Sequence, residues 1–250
     1  MPDSAAAPAA IVDYGMGNLF SVQYACEYAG LRAIITHSKK EVLTARAVIL
    51  PGVGAFGTAM DTLIRLDLVE PLRDAAASGI PFLGICLGMQ LLMRESHEFG
   101  RHRGLGLVEG EVVRLEGATG GRRPVKVPQV GWNKIHSADP GSRSGLAANG
   151  SPWEGTLLEG VADGEFMYFV HSFYCKPADA GVTLSTTRYG ENLFCSSFRQ
   201  KNLFACQFHP ERSGPGGVRL YRNLASFVKR LPSEEKGADQ ESIGSEVRII

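Results

Sequence analysis

The stretch "PFLGICLGMQ", Pro81 to Gln90, decides how this chain is read. An apolar run leads into Cys86, and a helix-like run, "LGMQLLMRES", leads out of it. Gly84 and Gly88 fence the cysteine on either side. A strand that turns at once into a helix needs a tight, strained bend, and a Cβ at either flank would clash there. The spacing Gly84-Ile85-Cys86-Leu87-Gly88 is that of a nucleophile elbow, G-x-S-x-G, with cysteine in place of serine. Such a bend pushes the Cys86 side chain out at the carboxyl end of a sheet, where open α/β folds bind ligands. A helix N-terminus beneath the sulfur favours thiolate over thiol through its free N–H groups and dipole. The Leu87 N–H is then placed to stabilise an oxyanion. The plainer alternative is a small buried cysteine in a strand-to-helix turn.

Upstream of the elbow, strands and helices alternate. "AAIVDYG" predicts a buried strand ending near Gly15. "NLFSVQYACEYAG" predicts a helix capped by Asn18, with Leu19, Val22, Cys26 and Ala29 at helical spacing and Gly30 as its stop. "RAIITHS" and "RAVILPGVGAFG" are further strands, the second running into a glycine-rich turn. Helices are expected from about Thr58 to Leu66 and from Val69 to Ser78. This alternation argues for an α/β fold, a mostly parallel central sheet with helices on both faces. Downstream, "GLVEGEVVRL", "VKVPQVGWNKI", "EFMYFVHSFY", "VTLSTTRYG" and "LFACQFHP" are strand-like, and only "GPGGVRLYRNLASFVKRL" reads as a helix. An antiparallel region added to the parallel core is expected there. "HSADPGSRSGLAANGSPWEG" has the composition of a long surface loop. The domain is expected to run from 10 to 231. Residues 1–9, rich in Ala and Pro, form a flexible extension, and the polar stretch 232–250 a disordered tail.

A chain of 250 residues can bury a sizeable single core. Lys+Arg and Asp+Glu balance at 26 each, so no global basic field calls for nucleic acid or acidic lipid. No apolar run approaches the ~20 residues that span a bilayer, and the N-terminus lacks the pattern of a signal peptide. Five scattered cysteines without a C-x-x-C pair argue against zinc or thioredoxin-like chemistry. They suit a cytoplasmic protein with buried, reduced thiols. No metal or cofactor is expected.

A thiolate acting on a carbonyl needs a base. Of six histidines, His209 in "FACQFHPERSG" ends a strand-like run and precedes Pro210 and Glu211. In a near-extended segment residues two apart point the same way, so Glu211 can lie beside the His209 ring and orient it. A second oxyanion donor can come from Val53: Gly52-Val53-Gly54 leaves a strand at the edge where Cys86 emerges. Gly52, Gly54 and Gly57 also spell G-x-G-x-x-G, the pattern of a dinucleotide site, though after the third strand and behind Pro51.

"GICLGMQLL" together with "QFHPERSG" resembles the class I, triad-type glutamine amidotransferases. "IVDYGMGNLFSV", "ILPGVGAFG", "VPQVGWN" and "YFVHSFY" are similar, within that class, to the glutaminase subunits of imidazole glycerol phosphate synthases, from about Ile11 to Leu231. The resemblance implies a flavodoxin-like fold and a glutaminase. Cys86 would form a glutamyl thioester, His209 shuttle protons and Glu211 orient it. It also implies glutamine-holding roles for Gly52, Gln90 and Ser172. The implied partner, in a heterodimer, is a (β/α)₈ cyclase subunit of histidine biosynthesis that takes the ammonia. Gln129, Trp132, Tyr168 and Lys201 resemble the family's partner-facing positions. Asn18, in the turn after the first strand, lies on the Cys86 edge and is assigned to the same surface. Gln129 stands where the family usually has His; it keeps hydrogen bonding but cannot take a charge.

Overall fold

The computed structural model of the chain describes residues 7–117, 125–138 and 152–232. Most of the expected N-terminal extension, the C-terminal tail beyond Pro232 and the centre of the expected surface loop lie outside these residues.

The first half alternates as its sequence predicts. β1 (Ala9–Val12) leads to α1 (Leu19–Tyr28) and β2 (Ala33–Thr36). A helix not anticipated from sequence, α2 (Lys39–Thr44), follows, its N-terminus capped by the Ser38 hydroxyl. β3 (Ala47–Gly52), α3 (Phe56–Arg65), α4 (Val69–Ala77) and β4 (Phe82–Cys86) complete the series. β1 opens at Ala9, one residue inside the expected extension, and Ala9 is already buried. Asn18 takes the cap position of α1, but its side chain makes no capping bond.

The helix after Cys86 is shorter than its sequence suggests. α5 (Leu87–Leu91) spans five residues, and β5 (Met93–Ser96) takes over the rest of the helix-like run. β5 pairs in parallel with β7 (Val108–Arg114), burying Met93 and Ser96, so tertiary pairing overrides local helix preference. The short β6 (His102–Arg103) lies beside β5.

The second half supplies β8 (Gln129–Lys134), β9 (His136–Ser137), β10 (Phe166–His171) and β11 (Phe173–Pro177). β12 (Thr183–Tyr189), β13 (Asn192–Gln200), β14 (Leu203–Cys206) and α6 (Gly214–Arg230) follow. The main sheet has eight strands in the order β2-β1-β3-β4-β14-β13-β12-β9. The first five run parallel and the remainder antiparallel. β11, β7, β5 and β6 form a second sheet, and β10 and β8 a two-stranded ribbon. Side chains alternate across the main sheet, as period-2 strands must. Val12, Val48 and Leu50 pack with α2, α3, α4 and α5, whereas Ile11, Ile49 and Ile85 pack with α1 and α6. The C-terminal flank of the expected surface loop is part of the second of these cores. Trp153 is only 2% exposed and donates from Nε1 to the Leu184 carbonyl oxygen at 2.9 Å.

Strand register brings the chemistry to one edge. Gly52 pairs with Cys86 across β3 and β4, and Cys206 pairs with Ile85 across β14 and β4. The carboxyl ends of three adjacent strands therefore deliver Gly52, Cys86 and the segment from Gln207 to His209 together.

Candidate active site

Cys86 occupies a left-handed backbone conformation, φ 54° and ψ −109°. For a residue with a Cβ this costs about 1–3 kcal/mol, and it turns β4 into α5 within one residue. Gly88 is required by the same bend: a Cβ there would run into the Leu50 carbonyl oxygen of β3. The expected dipole assistance is small, because five residues make barely more than one turn of helix. The sulfur's neighbours are instead specific groups. Gln207 Nε2 lies 3.6 Å away, the Val170 carbonyl oxygen of β10 lies 3.7 Å away, and the His209 ring is near enough for the sulfur to shift its charge.

His209 Nδ1 sits 2.9 Å from Glu211 Oε1, with both side chains buried. The contact forms in a different way from the one its sequence suggests. Pro210–Arg212 is a single 3-10 turn, not an extended strand, and it folds Glu211 back beneath the ring. The backbone of His209 is fixed from two sides. Its N–H donates to Tyr168 O at 2.8 Å, and its carbonyl accepts from Ser213 Oγ at 2.6 Å. Burial lowers the His209 pKa, but the Cys86 sulfur and then Glu211 outweigh it and raise it to about 10. The ring is thus held ready to carry a proton beside the sulfur.

A cleft of about 220 Å³ opens over the sulfur, bounded by Val53, Gly54, Cys86, Leu87, Gln90, Val170 and Ser172 among others. The candidate oxyanion donors Leu87 and Val53 therefore flank Cys86. Gln90 is buried and gives its Nε2 hydrogens to Phe173 O at 2.9 Å and Gln207 Oε1 at 3.0 Å. That leaves Oε1 of this side chain to accept a bond from a bound molecule. Two residues at the site escaped the sequence. Glu98 reaches the cleft and accepts from the Phe56 N–H at 2.6 Å, and Tyr14 OH donates to Pro51 O at 2.8 Å, bracing the end of β3. The dinucleotide alternative fits less well. A Cβ at Gly57 would lie 2.7 Å from the His102 ring, so that ring already covers the third glycine, and Val53 and Gly54 face the cleft over Cys86 instead.

A sulfur, an imidazole and a carboxylate in series, beside a small cleft that Leu87 and Val53 line, are equipped for nucleophilic attack on an amide or ester carbonyl. The family profile for "Glutamine amidotransferase class-I" matches residues 10–226. The chain belongs to the class-I glutamine amidotransferases. This amidotransferase is 41% identical over 215 residues to "Imidazole glycerol phosphate synthase subunit HisH" of Chlorobium luteolum, covering 86% of this chain and 98% of that one. A protein of the same name from Aquifex aeolicus is 42% identical over 222 residues, covering 88% and 97%. Among solved structures, a crystal structure of a glutamine amidotransferase aligns with a TM-score of 0.62 at 20% identity, over 88% of this chain and 98% of that one. PurLQS from Thermotoga maritima aligns with the same TM-score at 18% identity, over 88% and 99%. The two structures share the fold.

The amidotransferase's expected partner-facing residues separate into two groups. Trp132, 54% exposed, stands edge-on to Tyr168 with ring centroids 5.9 Å apart, and the two are paired across β8 and β10. Val130, Val170 and Phe166 join them on the outward face of the ribbon. Asn18 is exposed at the end of the turn that follows β1. Gln129 does not belong to that surface. It is 2% exposed, on the inner face of the ribbon, and its amide meets His171 Nε2 at 3.2 Å. Register explains this, because Gln129 precedes the outward-facing Val130 by one residue. Lys201 is at the wrong end of the sheet. It lies in the turn before β14, whose first residue Leu203 pairs with Phe82, the start of β4, whereas Cys86 ends β4. The cations that meet rings of the ribbon are Lys134 of β8, its Nζ 5.2 Å from the Phe166 ring centre, and Arg212, its guanidinium 4.4 Å from the Tyr168 ring centre, whose place directly after Glu211 was the available signal.

Proposed function

We propose that this amidotransferase is the glutaminase subunit of an imidazole glycerol phosphate synthase, hydrolysing glutamine to glutamate and ammonia for histidine biosynthesis. It acts in the cytoplasm as a heterodimer with a (β/α)₈ cyclase subunit, which receives the ammonia. The observation that carries this is the Cys86–His209–Glu211 series opening on the cleft, in a chain more than two-fifths identical to named subunits of that synthase.

The Cys86 sulfur attacks the side-chain amide carbon of glutamine, which Gly52, Gln90 and Ser172 hold in the cleft. The carbonyl oxygen becomes an oxyanion received by the Leu87 and Val53 N–H groups. As the C–N bond breaks, His209 passes its proton to the nitrogen and ammonia leaves. Water then attacks the thioester and gives a proton to His209; the C–S bond breaks and glutamate departs. Glu211 keeps the imidazole oriented and supports its charged form. Ammonia in open neutral water is mostly ammonium, which cannot act as a nucleophile, so delivery calls for a partner sealed over the cleft. The outward face of the ribbon, Val130, Trp132, Phe166 and Val170, together with Asn18, offers that partner an apolar surface beside the sulfur.

Cys86→Ala tests the assignment. Glutamine hydrolysis is expected to vanish, while the complex with a cyclase still forms product from added ammonium salt. Loss of the ammonium-driven reaction as well would show that Cys86 serves the structure and not the chemistry.

A further inference from the structure

Gln207 follows β14 directly and is fully buried beside Cys86. The proposed chemistry gives it no part. Its Nε2 lies 3.6 Å from Cys86 Sγ, and its Oε1 lies 3.0 Å from Gln90 Nε2. Which end of each amide faces which partner is dictated by the backbone. The Phe173 carbonyl oxygen, 2.9 Å from Gln90, can only accept, so Gln90 must present its nitrogen there. The second hydrogen of that nitrogen then points at Gln207 and must meet an oxygen. Gln207 is left with its nitrogen toward the sulfur, and the orientation of both side chains follows without assigning either amide independently. The sulfur therefore sees opposed neighbours. Val170 O, at 3.7 Å, is an acceptor that favours the thiol, whereas the Gln207 N–H and the charged His209 ring favour the thiolate.

We propose that Gln207 is a positioning residue for the nucleophile: its side-chain N–H, oriented through Gln90 by the Phe173 carbonyl, holds the Cys86 sulfur as a thiolate facing the cleft. This rests on Cys86 being the nucleophile. A filler role in the core would make Gln207 matter for stability but leave the ionisation of the sulfur alone.

The test follows the rate of Cys86 alkylation by iodoacetamide against pH in the full chain, with the labelled peptide identified by mass spectrometry. Iodoacetamide needs no glutamine pocket, so the readout is independent of substrate binding. Gln207→Met keeps the bulk and removes the donor. Its alkylation midpoint is expected to rise by about one pH unit, with roughly tenfold slower labelling below the midpoint. The kcat for glutamine is expected to drop by a similar factor, with a smaller change in KM. Gln90→Met leaves the Gln207 amide free to turn and is expected to shift the midpoint in the same direction by less. A folded Gln207→Met protein with the wild-type midpoint overturns the proposal. Should Gln207→Met not fold, an unshifted Gln90→Met midpoint overturns it instead. If wild-type Cys86 is not labelled at all, the nucleophile assignment fails first and takes this proposal with it.

Discussion

At the scale of single residues, the site depends on making one thiol different from four others. Cys26, Cys175, Cys195 and Cys206 are buried, and burial pushes all four thiols up, Cys26 and Cys195 to about 12. Cys86 instead borders a cleft, with the Gln207 side-chain N–H beside its sulfur. The charge on His209 carries a pH signature. Its pKa is raised from the ordinary 6.5 to about 10, so the stabilisation this ring contributes is complete below about 6.5 and is lost as pH climbs through about 10. The melting-temperature gap between the wild type and His209→Gln is therefore expected to narrow between pH 7 and about 10.5. A gap that stays constant over that range refutes the charged ring. Cys86 was legible in the sequence because its glycine spacing is itself the geometry of the bend, and His209 and Glu211 because they stand two residues apart, although a 3-10 turn and not an extended strand brings them together. Gln129, Lys201 and Arg212 were not. Which way a side chain faces, and at which end of a strand it lies, depends on a pairing partner tens of residues away.

Among the elements, the ribbon of β8 and β10 links surface to chemistry. Its inner face holds Gln129 against His171, its outer face carries Trp132 and Tyr168, and its Val170 borders the cleft. Trp132 loses little if removed from the isolated chain, because half of it already faces solvent. Trp132→Ala is expected to leave the melting temperature nearly unchanged and to weaken cyclase binding by more than ~1 kcal/mol, measured by titration calorimetry. Unfolding of the isolated variant would place Trp132 in the core instead. The parallel half was readable element by element, since β1, β3 and β4 are short apolar runs punctuated by glycine. β13 was missed although it lies inside the main sheet, because "NLFCSSFRQ" looks polar. Its serines are buried all the same, and the Ser185 hydroxyl of β12 meets those of Ser196 and Ser197 at 2.9 and 2.6 Å. Hydroxyls that satisfy one another across strands leave no hydrophobic pattern to detect.

For the whole molecule, the cleft is bounded by parts that face solvent when the chain is alone. Val170 and Val53 are both exposed and both border it. A partner covering the ribbon presses on one wall of the site and biases its conformations toward those that bind it. Turnover of glutamine is expected to rise well above that of the free chain when the cyclase is added. Full-rate hydrolysis by the free chain would refute this coupling. The strand order has a consequence in time as well. β14 is hydrogen-bonded between β4 and β13, yet it is the last strand among the described residues, and His209 and Glu211 follow it. A growing polypeptide therefore carries Cys86 long before it carries His209, and one edge of β4 waits unpaired until residues 203–206 leave the ribosome. Fragments from interrupted translation carry a cysteine with no imidazole to serve it. On the proposed chemistry such half-made chains are expected to leave glutamine intact, through nothing more than the order in which the strands are synthesised.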